Sequence, residues 1–371
     1  MRIIYLNYEF PPIGGGGSPV SYEIAKDYVK RGHHVDVVTM KYKDLPEYEE
    51  KDGMHIYRVP CLRARSEICH PWEQLTYLIS ARSFLKKKFK TTKYDVCHAH
   101  FIIPTGPLAL WMKRRYGIPY VLTAHGSDVL GHNKRFAMLY PLLRLPWVRV
   151  ISEARCLTAP SDYLRDSVRK ITDKGNVVIV PNGLNMSQFR PMKKQKRILV
   201  VARLFINKGV QDVLAALQGL DLGKWHVDIV GDGPYRVQLE NKCKEYGLSG
   251  VVSFHGWMDF GSNALCELYG ISSIFISASH FESFGQTVIE AISAGCYPLL
   301  SDIGGHRFIV NDDRFYFKTG DLIELRKRIK NLISKKLLKQ SINIKRFSWD
   351  YIIKQYISIM TDNESKALSD N

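Results

Sequence analysis

The stretch that decides the fold reads Ser279-His-Phe-Glu-Ser-Phe-Gly-Gln-Thr-Val-Ile-Glu-Ala-Ile-Ser-Ala-Gly295. β-rich runs lie on both sides of it, at Ile274–Ser277 and Cys296–Ser301. Glu282 lies in the loop after the first run, and Glu290 lies in the first turns of the helix that follows. A strand, a loop, a helix and a second strand in this order predict a parallel βαβ unit.

The same alternation of short β-rich runs and helical stretches extends along the whole chain. It predicts open, doubly wound parallel sheets of the α/β class. The pattern stops at the polar bridge Pro191–Arg197 and restarts with Ile198–Ala202, so we place a domain boundary near residue 190. The sequence therefore predicts two similar α/β domains that face each other, followed by a last helix and a polar tail. Their predicted ranges are 1–190, 191–345, 346–361 and 362–371.

Composition places the chain among ordinary globular proteins. Of its 371 residues, 45% are hydrophobic and 24% are charged, which excludes a disordered or membrane-embedded composition. No uninterrupted apolar run reaches the roughly 18 to 20 residues that span a bilayer, and the N-terminus has no secretory signal pattern. The seven cysteines lack a CxxC spacing, which indicates reduced thiols and no zinc site. We expect a cytoplasmic protein.

Basic residues outnumber acidic ones by 53 to 36, and the resulting net charge of +17 favours polyanionic partners. The N-terminal half holds most of the excess, with clusters at Arg82–Lys90 and Lys113–Arg115. We expect peripheral attachment to the anionic inner face of the cell membrane, where each Lys or Arg contributes on the order of 1 kcal/mol. A solvated helix face is the alternative. No recognition motif supports a nucleic-acid partner.

Two loops that follow predicted strands carry features suited to phosphate binding. In Gly14–Gly17, the absence of side chains lets backbone N–H groups approach a phosphate, although the spacing does not match GxGxxG and a flexible loop is the alternative. Arg203 and Lys208 follow the strand Ile198–Ala202. A guanidinium and an ammonium beside a helix N-terminus can hold a diphosphate, although two such residues alone are more often solvated surface charges.

The two glutamates are candidate ligands for hydroxyl groups. An ionised carboxylate only accepts hydrogen bonds, so Glu282 suits sugar hydroxyls and Glu290 suits a ribose diol. An acidic residue near a helix start is also stabilised by the helix dipole, which is the alternative explanation for Glu290. Asp312-Asp313 lies in a polar turn, and we interpret it as solvated rather than as a metal-binding motif.

The ordered set of motifs comprises Gly14-Gly15, His125-Gly-Ser-Asp128, Pro181-Asn-Gly183, Arg203 with Lys208-Gly209, Gly231-Asp-Gly-Pro234, and Glu282 to Glu290 with Ala291 and Gly295. This set resembles the retaining GT-B glycosyltransferases of family 4. The resemblance covers nearly the whole chain. It implies two Rossmann-like domains facing a central cleft, a nucleoside-diphosphate sugar in that cleft, and no metal or other cofactor. It also implies that the last helix, 346–361, packs back on the N-terminal domain.

The resemblance assigns roles in the C-terminal domain residue by residue. Arg203 and Lys208 become the diphosphate clamp, Glu290 becomes the ribose ligand and Glu282 becomes the donor-sugar ligand. Phe284 and Gly285 supply backbone contacts to that sugar.

In the N-terminal domain, the resemblance makes Gly15 and Gly16 contacts to the diphosphate. It places His125 against the donor sugar near the reacting carbon, although a lone histidine after a strand is more often structural. Asp128 either contacts the acceptor or shapes the loop by accepting backbone hydrogen bonds. Two positions depart from the family pattern. Asn185 lies where the family often has Asp after Pro-Asn-Gly, and His306-Arg307 follows Gly304-Gly305 where an acidic residue commonly comes soon after.

The implied reaction moves a hexose from a UDP- or GDP-linked donor to a glycan or lipid-linked acceptor, in cell-surface polysaccharide or glycolipid synthesis. Fixed cations at the diphosphate stabilise the charge that develops as it leaves, which is the role of a divalent metal elsewhere. A non-catalytic sugar-nucleotide-binding protein of the same fold is the alternative.

Overall fold

The computed structural model describes residues 1–66, 68–131, 140–335 and 342–361, and its chain forms two compact units. One unit comprises Met1–Gly183 together with the segment that begins at Trp349, and the other comprises Leu184–Ser348. The predicted boundaries near residues 190 and 345 therefore lie seven residues too late and three residues too early. The reason is packing, because Phe189 is fully buried in the core of the second unit and the Leu184 N–H donates to the Phe347 carbonyl at 2.7 Å.

The first unit is built on an eight-stranded sheet in the order β3-β4-β2-β1-β5-β6-β7-β8. Every neighbouring pair is parallel except β3 and β4. The strands are β1 (Arg2–Leu6), β2 (His34–Met40), β3 (Tyr48–Lys51), β4 (Met54–Val59), β5 (Val96–His100), β6 (Tyr120–Thr123), β7 (Cys156–Ala159) and β8 (Val177–Ile179). Strands β1 and β5 are neighbours, so the strand order reverses between them. Ligands of open α/β sheets bind at the carboxyl ends of strands at such a reversal.

Helices of the first unit are α1 (Gly17–Lys30), α2 (Pro71–Lys88), α3 (Thr105–Tyr116), α4 (Tyr140–Glu153) and α5 (Asp162–Arg169). Helix α1 begins three residues before the predicted Val20, because Pro19 is compatible with a first helical turn. At the start of α2, Pro71 occupies the first turn and the Glu73 carboxylate accepts the His70 N–H at 2.6 Å. In α5, the Ser161 hydroxyl accepts the Leu164 N–H at 3.2 Å.

The second unit has a six-stranded parallel sheet in the order β11-β10-β9-β12-β13-β14. Its strands are β9 (Gln195–Val201), β10 (His226–Val230), β11 (Val252–Gly256), β12 (Ser272–Ser277), β13 (Tyr297–Ser301) and β14 (Tyr316–Phe317). Its helices are α6 (Val210–Leu217), α7 (Arg236–Glu245), α8 (Asn263–Ile271), α9 (Gln286–Ser293), α10 (Gly304–Ile309) and α11 (Leu322–Ser334). The strand order reverses between β9 and β12, so the loops after these two strands lie at the expected ligand-binding edge.

The last helix, α12 (Trp349–Met360), belongs to the first unit. Its residues Ile352, Ile353 and Tyr356 are buried in the same core cluster as Ile24 and Tyr28 of α1. The helix begins three residues after the predicted residue 346, because 345–347 forms a short 3₁₀ turn that still belongs to the second unit, where the Phe347 carbonyl accepts the Leu184 N–H. The predicted tail, 362–371, lies outside the described residues. None of the helices in the described part of the chain is long and apolar enough to cross a membrane.

Candidate functional site in each unit

The loops after β9 and β12 are held together by backbone contacts. The His280 N–H donates to the Asn207 carbonyl at 2.9 Å. Gly209 has a φ of +68°, and a Cβ at this position would lie 1.9 Å from the Ala278 carbonyl oxygen. Only glycine satisfies both conditions, which explains the glycine directly after Lys208. The two loops that carry the predicted charged residues therefore form one surface.

Lys208 and Glu282 meet on this surface. The Lys208 ammonium donates to Glu282 Oε1 at 2.6 Å, and the Ser279 hydroxyl donates to the same oxygen at 2.9 Å. Burial acts to raise the pKa of Glu282, but the Lys208 charge and its hydrogen bond outweigh burial, so the pKa lies below its ordinary value. The site therefore holds a fixed carboxylate and a fixed ammonium side by side at neutral pH.

Arg203 is exposed, and its guanidinium lies 5.3 Å from the centre of the Phe205 ring. Within the described part of the chain, this guanidinium makes no ion pair. Its loop is fixed by the next one along the sheet, because the Leu204 N–H donates to the Asp232 carbonyl at 2.8 Å. A Cβ on Gly233 would lie 2.5 Å from the Leu204 carbonyl oxygen. The Gly231–Pro234 turn therefore supports the loop that carries the arginine, in addition to ending β10.

Glu290 is buried inside the same unit, where it accepts a hydrogen bond from the Tyr269 hydroxyl at 2.7 Å. Burial raises the pKa of Glu290 to about 8, and the Tyr269 hydrogen bond opposes this rise. At the start of α9, Gly285 has a φ of +106°, while the Phe284 ring packs edge-on against Phe347 with centroids 5.5 Å apart. The backbone that the sequence predicts as a sugar contact is thus anchored by an aromatic side chain.

His306, which the sequence presents only as a departure from the family pattern, packs against the loop that carries Glu282, since a Cβ on Gly285 would lie 3.2 Å from the His306 ring. Its Nδ1 lies 2.9 Å from the Ser301 carbonyl oxygen, and its Nε2 lies 3.1 Å from the Ser277 hydroxyl. Burial lowers the pKa of His306. A Cβ on the preceding residue, Gly305, would lie 2.3 Å from the Glu282 carbonyl oxygen. The small residue before His306 was a usable signal, because it marks the close approach of two backbones.

In the first unit, the glycine loop between β1 and α1 is tightly engaged. Gly14 has a φ of +106° and donates its N–H to the Ser66 carbonyl at 2.8 Å. The Gly15 N–H donates to a Glu9 carboxylate oxygen at 3.2 Å. Gly16 precedes the first residue of α1, and a Cβ there would meet no atom within 4 Å. A Cβ on Gly17 would lie 2.7 Å from His125 Nδ1. Steric crowding therefore requires glycine at Gly14 and Gly17, which flank the predicted pair Gly15 and Gly16.

His125 and Asp128 lie in the loop after β6. Asp128 Oδ1 accepts the backbone N–H groups of His125 and Gly126, both at 2.9 Å, and Asp128 Oδ2 accepts the Ile102 N–H at 2.7 Å. These three bonds tie the loops after β5 and β6 together. Burial raises the pKa of Asp128, and the three backbone donors oppose that rise.

The His125 ring is held separately from its backbone. Its Nε2 lies 2.9 Å from His100 Nδ1, and the Phe101 ring packs against it with centroids 4.4 Å apart. Burial lowers the pKa of His125 to about 4, so the ring is neutral at physiological pH. His100 is the last residue of β5, and the sequence did not predict its part in the site.

The acidic pair Asp312-Asp313 is engaged by arginines. Asp312 pairs with Arg314, and Asp313 pairs with Arg307. Among residues 1–66, 68–131, 140–335 and 342–361, no group of three or more His, Cys, Asp and Glu side chains is arranged to hold a metal ion.

Two family models match the chain along most of its length. The model described as Glycosyltransferase Family 4 matches residues 14–188, and the model described as Glycosyl transferases group 1 matches residues 184–348. The chain belongs to the family 4 glycosyltransferases of the GT-B fold. The fold class predicted from the sequence is thereby confirmed.

Several known proteins resemble this glycosyltransferase. An uncharacterized glycosyltransferase of Methanocaldococcus jannaschii is 27% identical, over 97% of each chain. The alpha-monoglucosyldiacylglycerol synthase of Streptococcus pneumoniae is 25% identical, over 80% of this chain and 70% of that protein. The solved structure of Anabaena HepE in complex with UDP and glucose has a TM-score of 0.77 at 18% identity, over 98% of this chain and 100% of the other.

Proposed function

We propose that this glycosyltransferase transfers a hexose from a nucleoside-diphosphate donor to a lipid-linked or glycan acceptor, with retention at the anomeric carbon and without a metal ion. The observation that carries the proposal is the contact of Lys208 with Glu282, because Lys208 lies in the same loop after β9 as the exposed Arg203. Two cations and a carboxylate at the carboxyl ends of neighbouring strands suit a charged diphosphate next to a sugar. HepE, which has the same fold, binds UDP and glucose, and this supports a nucleotide-sugar donor.

In the proposed reaction, the bond between the anomeric carbon and the donor phosphate oxygen breaks. A new bond forms from that carbon to the acceptor hydroxyl oxygen on the same face of the sugar. The acceptor proton passes to a phosphate oxygen of the leaving diphosphate. Negative charge grows on that diphosphate as the bond breaks, and the Arg203 and Lys208 cations stabilise it. Glu282 accepts hydrogen bonds from the sugar hydroxyls, because its lowered pKa keeps it ionised.

Turnover of point variants tests the donor site. We expect Arg203→Ala and Glu282→Ala each to lower hexose transfer by about a hundredfold or more, measured as nucleoside-diphosphate release with UDP- and GDP-linked hexoses. Arg328→Ala is the matched control, because Arg328 pairs with Glu324 on α11. Wild-type transfer by both site variants, or donor binding without any turnover, would contradict the proposal. Chelation of divalent ions is expected to leave transfer unchanged, and a loss that Mg²⁺ restores would contradict metal independence.

The acceptor is proposed to lie at an anionic membrane, because one face of α2 has the required composition. Trp72, Leu75 and Ile79 are 59%, 56% and 64% exposed, and their helical spacing places them on one stripe. Arg82 and Lys86 continue the same stripe toward the helix end. Apolar residues can enter the lipid while the basic residues contact anionic headgroups. The similarity to a synthase of a glucosylated diacylglycerol supports a lipid acceptor.

One basic residue of the cluster predicted for this surface faces the protein instead. Lys88 donates to the Tyr57 hydroxyl at 2.7 Å and lies 3.3 Å from an Asp36 carboxylate oxygen. Arg82 also lies against protein on one side, 5.3 Å from the Trp111 ring centre. The charge available to a membrane from Arg82–Lys90 is therefore smaller than the sequence suggests.

Vesicle co-sedimentation tests the membrane proposal. We expect binding to vesicles of phosphatidylcholine with phosphatidylglycerol and much weaker binding to phosphatidylcholine alone. The double variant Arg82→Gln/Lys86→Gln is expected to lose about 2 kcal/mol of binding free energy, because each basic residue contributes on the order of 1 kcal/mol. The charge-matched control is Lys170→Gln/Lys174→Gln, since both lysines are exposed at the end of α5 and in the following turn. Equal binding to both vesicle types would exclude charge as the cause.

A further inference from the structure

A chain of hydrogen bonds leads from the interior of the first unit to His125. Tyr5 on β1 and His100 on β5 are fully buried, and the Tyr5 hydroxyl is hydrogen-bonded to His100 Nε2. The other ring nitrogen of His100, Nδ1, lies 2.9 Å from His125 Nε2. Tyr5 also lies 2.7 Å from the backbone carbonyl oxygen of Ser21 on α1. These contacts define the direction of the hydrogen bonds between Ser21 and His125.

The Ser21 carbonyl group fixes the direction of the first hydrogen bond. A carbonyl oxygen cannot donate, so the single proton of the Tyr5 hydroxyl points at Ser21. The Tyr5 oxygen then accepts from His100, and His100 Nε2 must carry a proton. Burial and the neighbouring histidines hold the pKa of His100 well below its ordinary value, so this ring is neutral. A neutral imidazole has one proton, which leaves His100 Nδ1 as an acceptor.

Because His100 Nδ1 accepts, the proton between the two rings belongs to His125 Nε2. The pKa of His125 is lowered to about 4 by burial, so this ring also carries a single proton at physiological pH. Its Nδ1 is therefore unprotonated. This atom faces the first residue of α1, since a Cβ on Gly17 would lie 2.7 Å from it.

The two parts of His125 are fixed by different residues. Asp128 holds the backbone through the His125 N–H, while His100 and the Phe101 ring hold the imidazole. A ring that needed only to fill space would not require a buried Tyr–His pair behind it. The pair contributes a defined tautomer, which packing alone does not provide.

We propose that Tyr5 and His100 are positioning residues that hold His125 as the Nε2-protonated tautomer, so that Nδ1 accepts a hydrogen bond from a hydroxyl group of the donor sugar. The inference rests on the proposed function for the identity of the hydroxyl group. The direction of the proton chain itself depends only on the contacts of Tyr5, His100 and His125.

Nitrogen NMR of protein labelled with ¹⁵N-histidine measures the tautomer without any substrate. In the wild type, we expect the His125 signals of a ring protonated at Nε2 and unprotonated at Nδ1. Tyr5→Phe removes the acceptor for His100, so His100 can place its proton on Nδ1 and His125 then moves its own proton to Nδ1. Tyr28→Phe is the matched control, because it removes a neighbouring buried Tyr–His bond of 3.0 Å, to His98. We expect this control to leave the His125 tautomer unchanged.

Kinetics provide the second readout. Tyr5→Phe and His100→Leu are expected to lower kcat about tenfold, the effect of one misdirected hydrogen bond. His100→Asn is expected to recover most of that loss, because an amide oxygen can accept from His125 Nε2. A wild-type spectrum with Nδ1 protonated would overturn the proposal, and this measurement stands even if the variants do not fold. An unchanged His125 tautomer in both Tyr5→Phe and His100→Leu would overturn it equally. The expected spectra without any hexose transfer would contradict only the proposed function.

Discussion

The candidate sites of the two units differ in the way they control charge. In the second unit, Lys208 and Glu282 face each other as a fixed ion pair, and the pKa of the carboxyl group is lowered. In the first unit, His100 and His125 are held neutral by burial, and the ring nitrogen that carries the proton sets the direction of each hydrogen bond. One site is therefore organised by charge and the other by hydrogen-bond direction. Such a division suits the proposed reaction, in which a diphosphate gains charge while sugar hydroxyl groups only change hydrogen-bond partners.

The site of Arg203, Lys208 and Glu282 is called the charged site here. Removal of the cation at position 208 is expected to disrupt it most severely. We expect Lys208→Met to lower turnover about a hundredfold or more, because the leaving diphosphate loses a fixed cation. Without Lys208, burial dominates and the pKa of Glu282 rises, so the acidic limb of the pH profile of kcat/KM moves to higher pH. Lys224→Met, an exposed lysine of the same unit, is the control. A profile with an unchanged acidic limb would show that Lys208 does not set the ionisation of Glu282.

The site of His100, His125 and Asp128 is called the neutral site here. Substitution of Asp128 tests how the loop of this site is anchored. Asp128→Asn replaces one acceptor oxygen by an amide that only donates, so at least one of the three backbone N–H groups loses its partner. We expect the free energy of unfolding to fall by about 1–3 kcal/mol, measured by urea denaturation. Asp166→Asn is the control, since Asp166 is exposed and pairs with Arg165. A loss no larger than in this control would mean that the loop does not depend on the carboxylate.

A single added methyl group is expected to disturb the orientation of the His125 ring in the neutral site. Gly17→Ala places a Cβ 2.7 Å from His125 Nδ1, which is closer than van der Waals contact, so the ring must move. We expect kcat to fall about tenfold, because a displaced ring meets the sugar in the wrong geometry. In Gly250→Ala, the new Cβ meets no atom within 4 Å, and turnover is expected to stay near that of the wild type. Equal turnover of the two variants would remove the steric link between Gly17 and His125.

The smallest expected effect concerns Glu290, whose behaviour lies between those of the two sites. It is ionisable like Glu282, but burial raises its pKa to about 8 and Tyr269 opposes that rise. Removing the donor in Tyr269→Phe is expected to raise the pKa further. If the ionised carboxylate binds the ribose, the midpoint of nucleoside-diphosphate binding then moves to higher pH, and affinity near neutral pH falls several-fold.

Calorimetric titration of UDP and GDP from about pH 6 to about pH 9 measures this shift. Tyr246→Phe at the end of α7 is the control. A midpoint that stays in place would show that ionisation of Glu290 is not coupled to nucleotide binding.

Much of the charged site could be predicted from the sequence because its residues follow predicted strands in short motifs. A loop between a strand and a helix is predicted for each of two segments, Arg203–Gly209 and Ser279–Gly285. Parallel strand order then brings such loops to one edge of the sheet. The contact between Lys208 and Glu282 follows from this topology, although the sequence did not indicate that they would form an ion pair.

The neutral site was harder to predict because its members are separated along the chain and lie inside strands. Tyr5 and His100 occupy strand positions that are typical of ordinary core residues. They come into contact only because β1 pairs with β5. One usable signal was present, since His98 and His100 alternate along β5 and must share a face of the sheet. The domain boundary near residue 190 was misplaced for a related reason, because the sequence before the polar bridge does not show that Phe189 is buried in the second unit.

The return of α12 to the first unit has a consequence for synthesis on the ribosome. Residues 184–348 are contiguous and can complete their own core as soon as they emerge. The first unit lacks the buried side chains of Ile352, Ile353 and Tyr356 until the chain has been translated through α12. The first unit is therefore the first to be synthesised and the last to complete its core. A premature stop near residue 348 would leave a complete second unit attached to an incomplete first unit.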